Sequence, residues 1–331
     1  MSRPLVSVCL ITYNQAQYIR DAVEGVLAQK VTFPIELIIA DDYSTDGTRE
    51  IVIEYQKKYP ELIKLILQGK NVGPHQNWMD LIQSPVSKYI AYFEGDDYWI
   101  DNEKLQIQVD FMEAHPGSGM VCTDYRKYFS LTDTMKPHFF SDRRYESEVA
   151  FKDYLLDMSS IGTATILIRR ALVQDYFAGI PAEKRESFIV GDTPLWLYVA
   201  ANSKISVLPR ETAVYRVLGN SACHFKTAED HYRFVLKGFE MADFFYEKFG
   251  NNDIRLLEKL KQKKLKAALF HGYRVMDSYL AKKSYKELIT GPLSLKRRIS
   301  AWLMLMGSYN VLMNSLTGAF LRSKKSGLKR I

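Results

Sequence analysis

Short apolar runs alternate with amphipathic stretches through the first hundred residues. Val6-Ser7-Val8-Cys9-Leu10-Ile11-Thr12-Tyr13 is β-branched and of strand length, and behind it Ile19, Val23, Val26 and Leu27 share one helix face. The alternation then returns. Ile35 to Ala40 reads as a second strand, Asp41 to Thr48 as a polar loop, and Ile51, Tyr55 and Tyr59 carry helical spacing. A third strand spans Ile63 to Leu67, Gly69 to Pro74 turns the chain, a helix starts near Asn77, and Lys88 to Phe93 reads as a fourth, buried strand. Strands alternating with helices in this way predict an α/β fold with a mainly parallel, Rossmann-like sheet flanked by helices. Ligands of such sheets bind beyond the carboxyl ends of the strands.

The acidic residues gather where that edge would lie. Glu94, Asp96 and Asp97 follow the fourth strand directly, in Phe93-Glu94-Gly95-Asp96-Asp97-Tyr98-Trp99. Massed carboxylates repel one another unless a cation sits among them, which points to a hard divalent metal with oxygen ligands, usually one that also holds phosphate.

The order of these segments resembles that of the family 2 glycosyltransferases, which carry an A-type (GT-A) nucleotide-binding α/β fold. Four segments carry the likeness: Val6 to Asn14, Ile39 to Thr48, Asn71-Val72-Gly73 with Asn77, and Glu94 to Trp99. A fifth, Val190-Gly191-Asp192-Thr193-Pro194-Leu195-Trp196, looks like the family's catalytic-base segment. The resemblance implies that Thr12, Asn14 and Asp42 meet the donor nucleotide, with Asp42 accepting from the imide of uracil or thymine and so favouring a UDP- or dTDP-sugar. Gly73 and Asn77 would pass near the diphosphate. Asp96 would bind the ribose and share with Asp97 a Mg²⁺ or Mn²⁺ on the diphosphate, and His224 matches a metal or diphosphate ligand on a closing loop. Asp192 would be the general base of an inverting, single-displacement transfer. The implied acceptor is a hydroxyl of a saccharide, lipid-linked in the synthesis of a bacterial surface polysaccharide. Two positions depart from the family: Glu94 stands where an Asp is usual, and Gln76 where Arg or Lys is common.

Each assignment has a plainer competitor. Asp192, with Pro194 two residues on, suits a helix N-cap. Asp46 and Ser44 suit a turn before the second helix. Asp101 suits the cap of a helix carrying Leu105, Val109 and Met112. Trp99 follows the acidic cluster and could wall the sugar pocket, although tryptophans mostly pack. Ser160 to Ile168 reads as a strand opened by small residues. Two rival functions stand beside transfer: a nucleotidyltransferase, which would show a Gly-rich, basic loop after the first strand where Thr12-Tyr13-Asn14-Gln15 stands, and a catalytically inactive tethering module of the same fold.

Composition adds location and organisation. The three cysteines, Cys9, Cys122 and Cys223, lack paired spacing and suit a reducing cytoplasm. No secretory signal precedes the first strand. A catalytic domain is expected over 1–225, a helical extension over 226–290 and an amphipathic basic segment over 291–331. That last segment holds a charge-free run from Ile299 to Leu321 between basic flanks. It suits a helix lying on the inner, anionic face of the plasma membrane, or one packed on the catalytic domain or on a second copy of the chain. The net charge of +7 comes without any nucleic-acid-binding motif, so nucleic acid is not an expected partner.

Overall fold

A computed structural model of the chain describes residues 3–136, 148–219, 227–274 and 286. The chain divides into two compact units, Met1–His224 and Phe225–Ile331.

The first unit starts with the expected alternation: β1 (Val6–Thr12), α1 (Ile19–Leu27), β2 (Ile35–Asp41), α2 (Thr48–Lys58), β3 (Ile63–Leu67), α3 (Pro74–Gln83) and β4 (Tyr89–Glu94). There follow β5 (Tyr98–Trp99), α4 (Lys104–Ala114), β6 (Ser118–Phe129), β7 (Thr134–Lys136), β8 (Glu148–Val149) and α5 (Phe151–Leu156). A 3₁₀ turn at Thr163–Thr165, β9 (Ile166–Arg169), α6 (Arg170–Gly179), α7 (Ala182–Ser187), α8 (Asp192–Asn202) and β10 (Lys204–Val217) complete the unit.

Among the described residues the strands form one ten-stranded sheet in the order β3-β2-β1-β4-β9-β6-β10-β5, with β7 on β6 and β8 on β10. β1 lies parallel between β2 and β4, with Val6 opposite Ile35 on one side and Tyr89 on the other. Beyond β4 the sheet becomes mixed, since β9 runs antiparallel to both β4 and β6. The strand order therefore reverses at β1, and the crevice at that reversal, outside the carboxyl ends of β1 and β4, is where such sheets bind ligands.

Burial on both faces explains the unbroken apolar runs. Leu10, Leu37, Ile39, Phe93 and Leu167 are fully buried, and Ile19, Ala22, Val23 and Val26 of α1 close over them. Each such side chain contributes about 1.5–3 kcal/mol by leaving water. Two local expectations shift. Glu103, not Asp101, precedes the first turn of α4; the Asp101 carboxylate accepts from Glu103 N at 2.9 Å and pairs with Arg210. The small residues of Gly162 to Thr165 form the 3₁₀ turn rather than extending β9.

In the second unit, α9 (Ala228–Phe249) is capped by Thr227, whose side chain accepts from Asp230 N. Gly250 to Asn252 turn the chain into α10 (Ile254–Arg274), with Asn251 and Asn252 both at positive φ. Leu256, Leu260 and Leu269 are buried, while Lys259, Lys261, Lys263 and Lys266 are exposed, so the basic run is a solvated helix face. No described helix is long and apolar enough to cross a membrane. The 291–331 segment and His224 lie outside the described residues.

Candidate active site

Chain segments far apart in sequence meet at the carboxyl edge of β1, β2 and β4. Gly95 N donates to Ile11 O at 2.9 Å, holding the acidic loop against the end of β1. A Cβ on Gly95 would meet Gln15 Oε1 at 2.6 Å and Thr12 Oγ1 at 2.9 Å, so this loop needs glycine to lie so close. Thr12 is buried and its hydroxyl donates to Gln15 Oε1 at 2.8 Å. Gln15 links it to Asp96, whose carboxylate it also bonds.

The four acids differ sharply in surroundings. Glu94 accepts from Tyr92 Oη at 3.2 Å and from Thr163 Oγ1, so both its oxygens are occupied. Burial, and then the charges of Asp192 and Asp96, push its carboxyl up to about 8. Asp96 remains partly exposed, and burial raises its carboxyl as well. Asp97 is turned inward at 1% exposure: Oδ1 accepts from Arg216 N at 2.9 Å, and Oδ2 is buried with no donor. Burial, followed by its acidic neighbours Asp96 and Glu94, holds this carboxyl well above the usual range.

Asp192 joins them from the other half of the unit. It is the first residue of α8, and Gly191 occupies the cap position, so the plain N-cap reading does not apply. Its Oδ1 accepts from Thr193 N at 2.7 Å and Thr193 Oγ1 at 3.3 Å, and Oδ2 takes no protein donor among the described residues. Burial raises the Asp192 carboxyl despite the adjacent helix N-terminus, whose dipole favours the anion. Gly191 brings it there by lying against the Trp78 ring of α3, where a Cβ would fall 2.4 Å from Trp78 Cδ2.

Three of the expected contact residues have partners within the protein. Asn77 is fully buried and donates to Ala40 O at 3.1 Å, tying α3 to β2. Trp99 is 5% exposed, donates its indole N–H to Ala164 O at 2.8 Å and stacks on Phe93, which ties it to the 3₁₀ turn. Asn14, at φ 50°, accepts from Thr45 N at 2.9 Å and closes a turn. Asp42 spends its carboxylate on the protein: Val72 N and Gly73 N donate to it at 2.7 and 2.9 Å. Gly73, at φ 86°, is thereby fixed beside the edge, and Gln76 bonds Asp80 on its own helix.

Arg216 was not singled out by its sequence context, although a cation inside the apolar end of β10 is itself a signal. Its guanidinium donates to Asp96 O at 2.8 Å, pairs with Asp21 of α1, and lies 4.2 Å from the Tyr98 ring centre. It therefore pins the acidic loop at Asp96 and Asp97, as the Gly95 N–H does at Ile11.

Whether these acids suit a divalent ion can be judged from their oxygens. Among the described residues no three His, Cys, Asp or Glu side chains converge to hold an ion alone. Asp96 with the donor-less Oδ2 of Asp97 does fit an ion that takes one or two carboxylates and completes its shell with substrate phosphate and water, as Mg²⁺ does.

Relatives sharpen the picture. The chain is 34% identical over 237 residues to uncharacterised proteins of Mycobacterium tuberculosis and Mycobacterium bovis, covering 72% of this chain and 66% of theirs. It is 38% identical over 110 residues to the Bacillus subtilis teichuronic acid biosynthesis glycosyltransferase TuaG, covering 33% of this chain and 42% of TuaG. The fold matches Staphylococcus aureus TarS bound to UDP-GlcNAc with a TM-score of 0.62 at 18% identity, over 95% of this chain and 92% of TarS 1-349. It also matches the Pyrobaculum calidifontis mannosyltransferase PcManGT, in complex with GDP-Man and Mn²⁺, with a TM-score of 0.59 at 16% identity, over 95% of this chain and 81% of that one. Residues 7–177 match the family model of glycosyl transferase family 2, and the chain belongs to that family of glycosyltransferases.

Proposed function

We propose that the protein moves a sugar from a nucleoside diphosphate donor to a hydroxyl of a saccharide acceptor, with inversion, and that Asp192 is the general base. The observation that carries this reading is the placing of Asp192 at the head of α8, its Oδ1 held by Thr193 N and its neighbour Gly191 packed on Trp78, with no protein donor on Oδ2 among the described residues. In the transfer the bond from the anomeric carbon to the diphosphate breaks as the bond to the acceptor oxygen forms. The acceptor proton passes to Asp192 Oδ2, the oxygen that no protein donor occupies among the described residues. Burial suits the role, since a raised carboxyl is a better proton acceptor while Thr193 holds Oδ1 in place.

Glu94 does not suit a covalent double displacement. A nucleophile must be ionised with a free oxygen, and Glu94 is held near neutral form by burial with both oxygens bonded. Asp96, supported by Asp97, would hold Mg²⁺ or Mn²⁺, which would absorb the charge that develops on the diphosphate. Arg216 and Gly95 keep that pair at the strand edge. The complexes named for TarS and PcManGT support a nucleotide-sugar donor and, for PcManGT, Mn²⁺. The name of TuaG supports a bacterial surface polysaccharide as the product class. A lipid-linked acceptor and attachment to the inner membrane face through residues 291–331 remain part of this proposal and rest on the sequence alone. Comparing nucleoside diphosphate release by the wild-type chain and by Asp192→Asn tests the reading.

A further inference from the structure

Tyr43 stands in a backbone conformation that its side chain disfavours. It follows Asp42 at φ 64°, in the left-handed region where glycine and asparagine are at ease and a bulky ring is not. The turn demands that conformation, because Ser44 N folds back to Asp41 Oδ2 at 3.2 Å. Glycine would meet the demand without strain. The aromatic side chain does not repay it by filling the core, since Tyr43 is 45% exposed. Strained residues that the interior does not require are found at ligand sites more often than elsewhere.

Its surroundings indicate which part of the ligand. The Arg49 guanidinium lies 5.2 Å from the Tyr43 ring centre and is itself fixed, with Nε on Asp41 Oδ2 at 2.6 Å and a terminal nitrogen on Gln68 O at 2.7 Å. One face of the ring is thus backed by a held cation. Across the β1–β2 edge stands a second exposed ring, Tyr13, at 47%. The loops that carry the two rings are laced together by Asp42 N to Thr12 O at 3.0 Å, Asn14 N to Ser44 Oγ at 2.9 Å and Thr45 N to Asn14 Oδ1 at 2.9 Å. Two exposed aromatics thus stand on hydrogen-bonded loops that flank the buried Asp42 carboxylate, and an exposed ring backed by a cation offers its other face to a flat heterocycle.

We propose that Tyr43 is a binding contact of the donor site, its Arg49-backed ring stacking on the nucleobase. The inference rests on the nucleotide-sugar reading above and extends it to a residue outside the acidic cluster. Stacking on an aromatic side chain needs the ring and not the hydroxyl, and it acts on the base and not on the phosphates.

The test is calorimetric titration of the full chain with UDP and Mn²⁺, and separately with inorganic pyrophosphate and Mn²⁺, for wild type, Tyr43→Phe and Tyr43→Gly. Tyr43→Gly should weaken UDP at least about fivefold, the low end of what one base–aromatic stack contributes. Tyr43→Phe should stay within about twofold, pyrophosphate affinity should hold in all three, and the thermal midpoint of Tyr43→Gly should not fall, because glycine accepts the positive φ. Unchanged UDP affinity in Tyr43→Gly overturns the inference. So does an equal loss in Tyr43→Phe, an equal loss for pyrophosphate, or a lowered midpoint accompanying lost binding. A wild-type chain that binds pyrophosphate but no UDP removes the nucleobase contact, and one that binds neither removes the parent reading with it.

Discussion

Gly191→Ala should damage stability and turnover together. Its Cβ would lie 2.4 Å from Cδ2, 2.5 Å from Cε3 and 2.9 Å from Cγ of Trp78, against about 3.5–4.0 Å for a comfortable carbon contact. Gly191 sits at φ −87°, which alanine adopts freely, so the cost is steric alone. Trp78 is 3% exposed, and a buried indole cannot swing aside as the tip of a flexible side chain would. Overpacking of this kind costs about 1–3 kcal/mol. At about 2–4 °C per kcal/mol for a unit of this size, the thermal midpoint should drop by roughly 2–12 °C. The strain can be relieved by pushing α8 away from α3, and that moves Asp192, the next residue. Since a displacement of about 1 Å can cost about 10²-fold in rate, turnover should fall by more than the unfolded fraction explains. Thermal denaturation and steady-state turnover on Gly191→Ala, Trp78→Leu and the double variant form a cycle, in which the smaller side chain should recover part of both losses. A Gly191→Ala chain within about 0.5 kcal/mol of wild type, the range of an ordinary surface change, would refute the close packing that places the base.

Two further outcomes follow from the charges. Arg216→Gln removes a guanidinium that is 9% exposed, while its partner Asp21 stays 57% exposed and solvated, so the loss should be that of the loop contacts, about 1.5–3 kcal/mol. It should weaken Mn²⁺-dependent donor binding in a titration, and unaltered metal dependence would deny that Arg216 holds the acidic loop. Glu94 is raised from 4.5 to about 8, so across that window the folded chain holds a proton that the unfolded chain has lost, and stability must fall as pH rises. Thermal midpoints of the metal-free chain should decline from about pH 5 to about pH 8 and decline less steeply in Glu94→Gln, where Asp96, Asp97 and Asp192 remain raised; a flat wild-type profile would contradict the burial of these acids.

The sheet up to β4 was legible because its strands are buried on both faces, so each appears as an apolar run with a helix-spaced stretch behind it. The mixed half was less so. The direction of β9 depends on the long crossover that delivers it, and nothing in Ile166 to Arg169 states which way the strand runs. At the site, sequence order exposed the acids but not their orientations. Asp96 and Asp97 are neighbours in sequence, yet the turn between β4 and β5 buries Asp97 and leaves Asp96 partly exposed. Asn77 and Trp99 border the motifs, and their burial against Ala40 O and Ala164 O could not be read from the sequence because those partners lie on other segments. Arg216 and Thr163 could not be assigned from local pattern, since their partners lie on distant strands and appear only once the sheet is assembled.

The central claim is that Asp192 takes the acceptor proton beside a donor held at the acidic loop. Release of nucleoside diphosphate from a panel of UDP- and dTDP-sugars, with Mn²⁺ and with the metal chelated, measures it on wild type and Asp192→Asn side by side. The account predicts metal-dependent turnover by wild type, and an Asp192→Asn chain that binds the same donor with unchanged affinity while turning over about 10²–10⁴-fold more slowly. Turnover by Asp192→Asn within about tenfold of wild type, below the range of a lost general base, would contradict it.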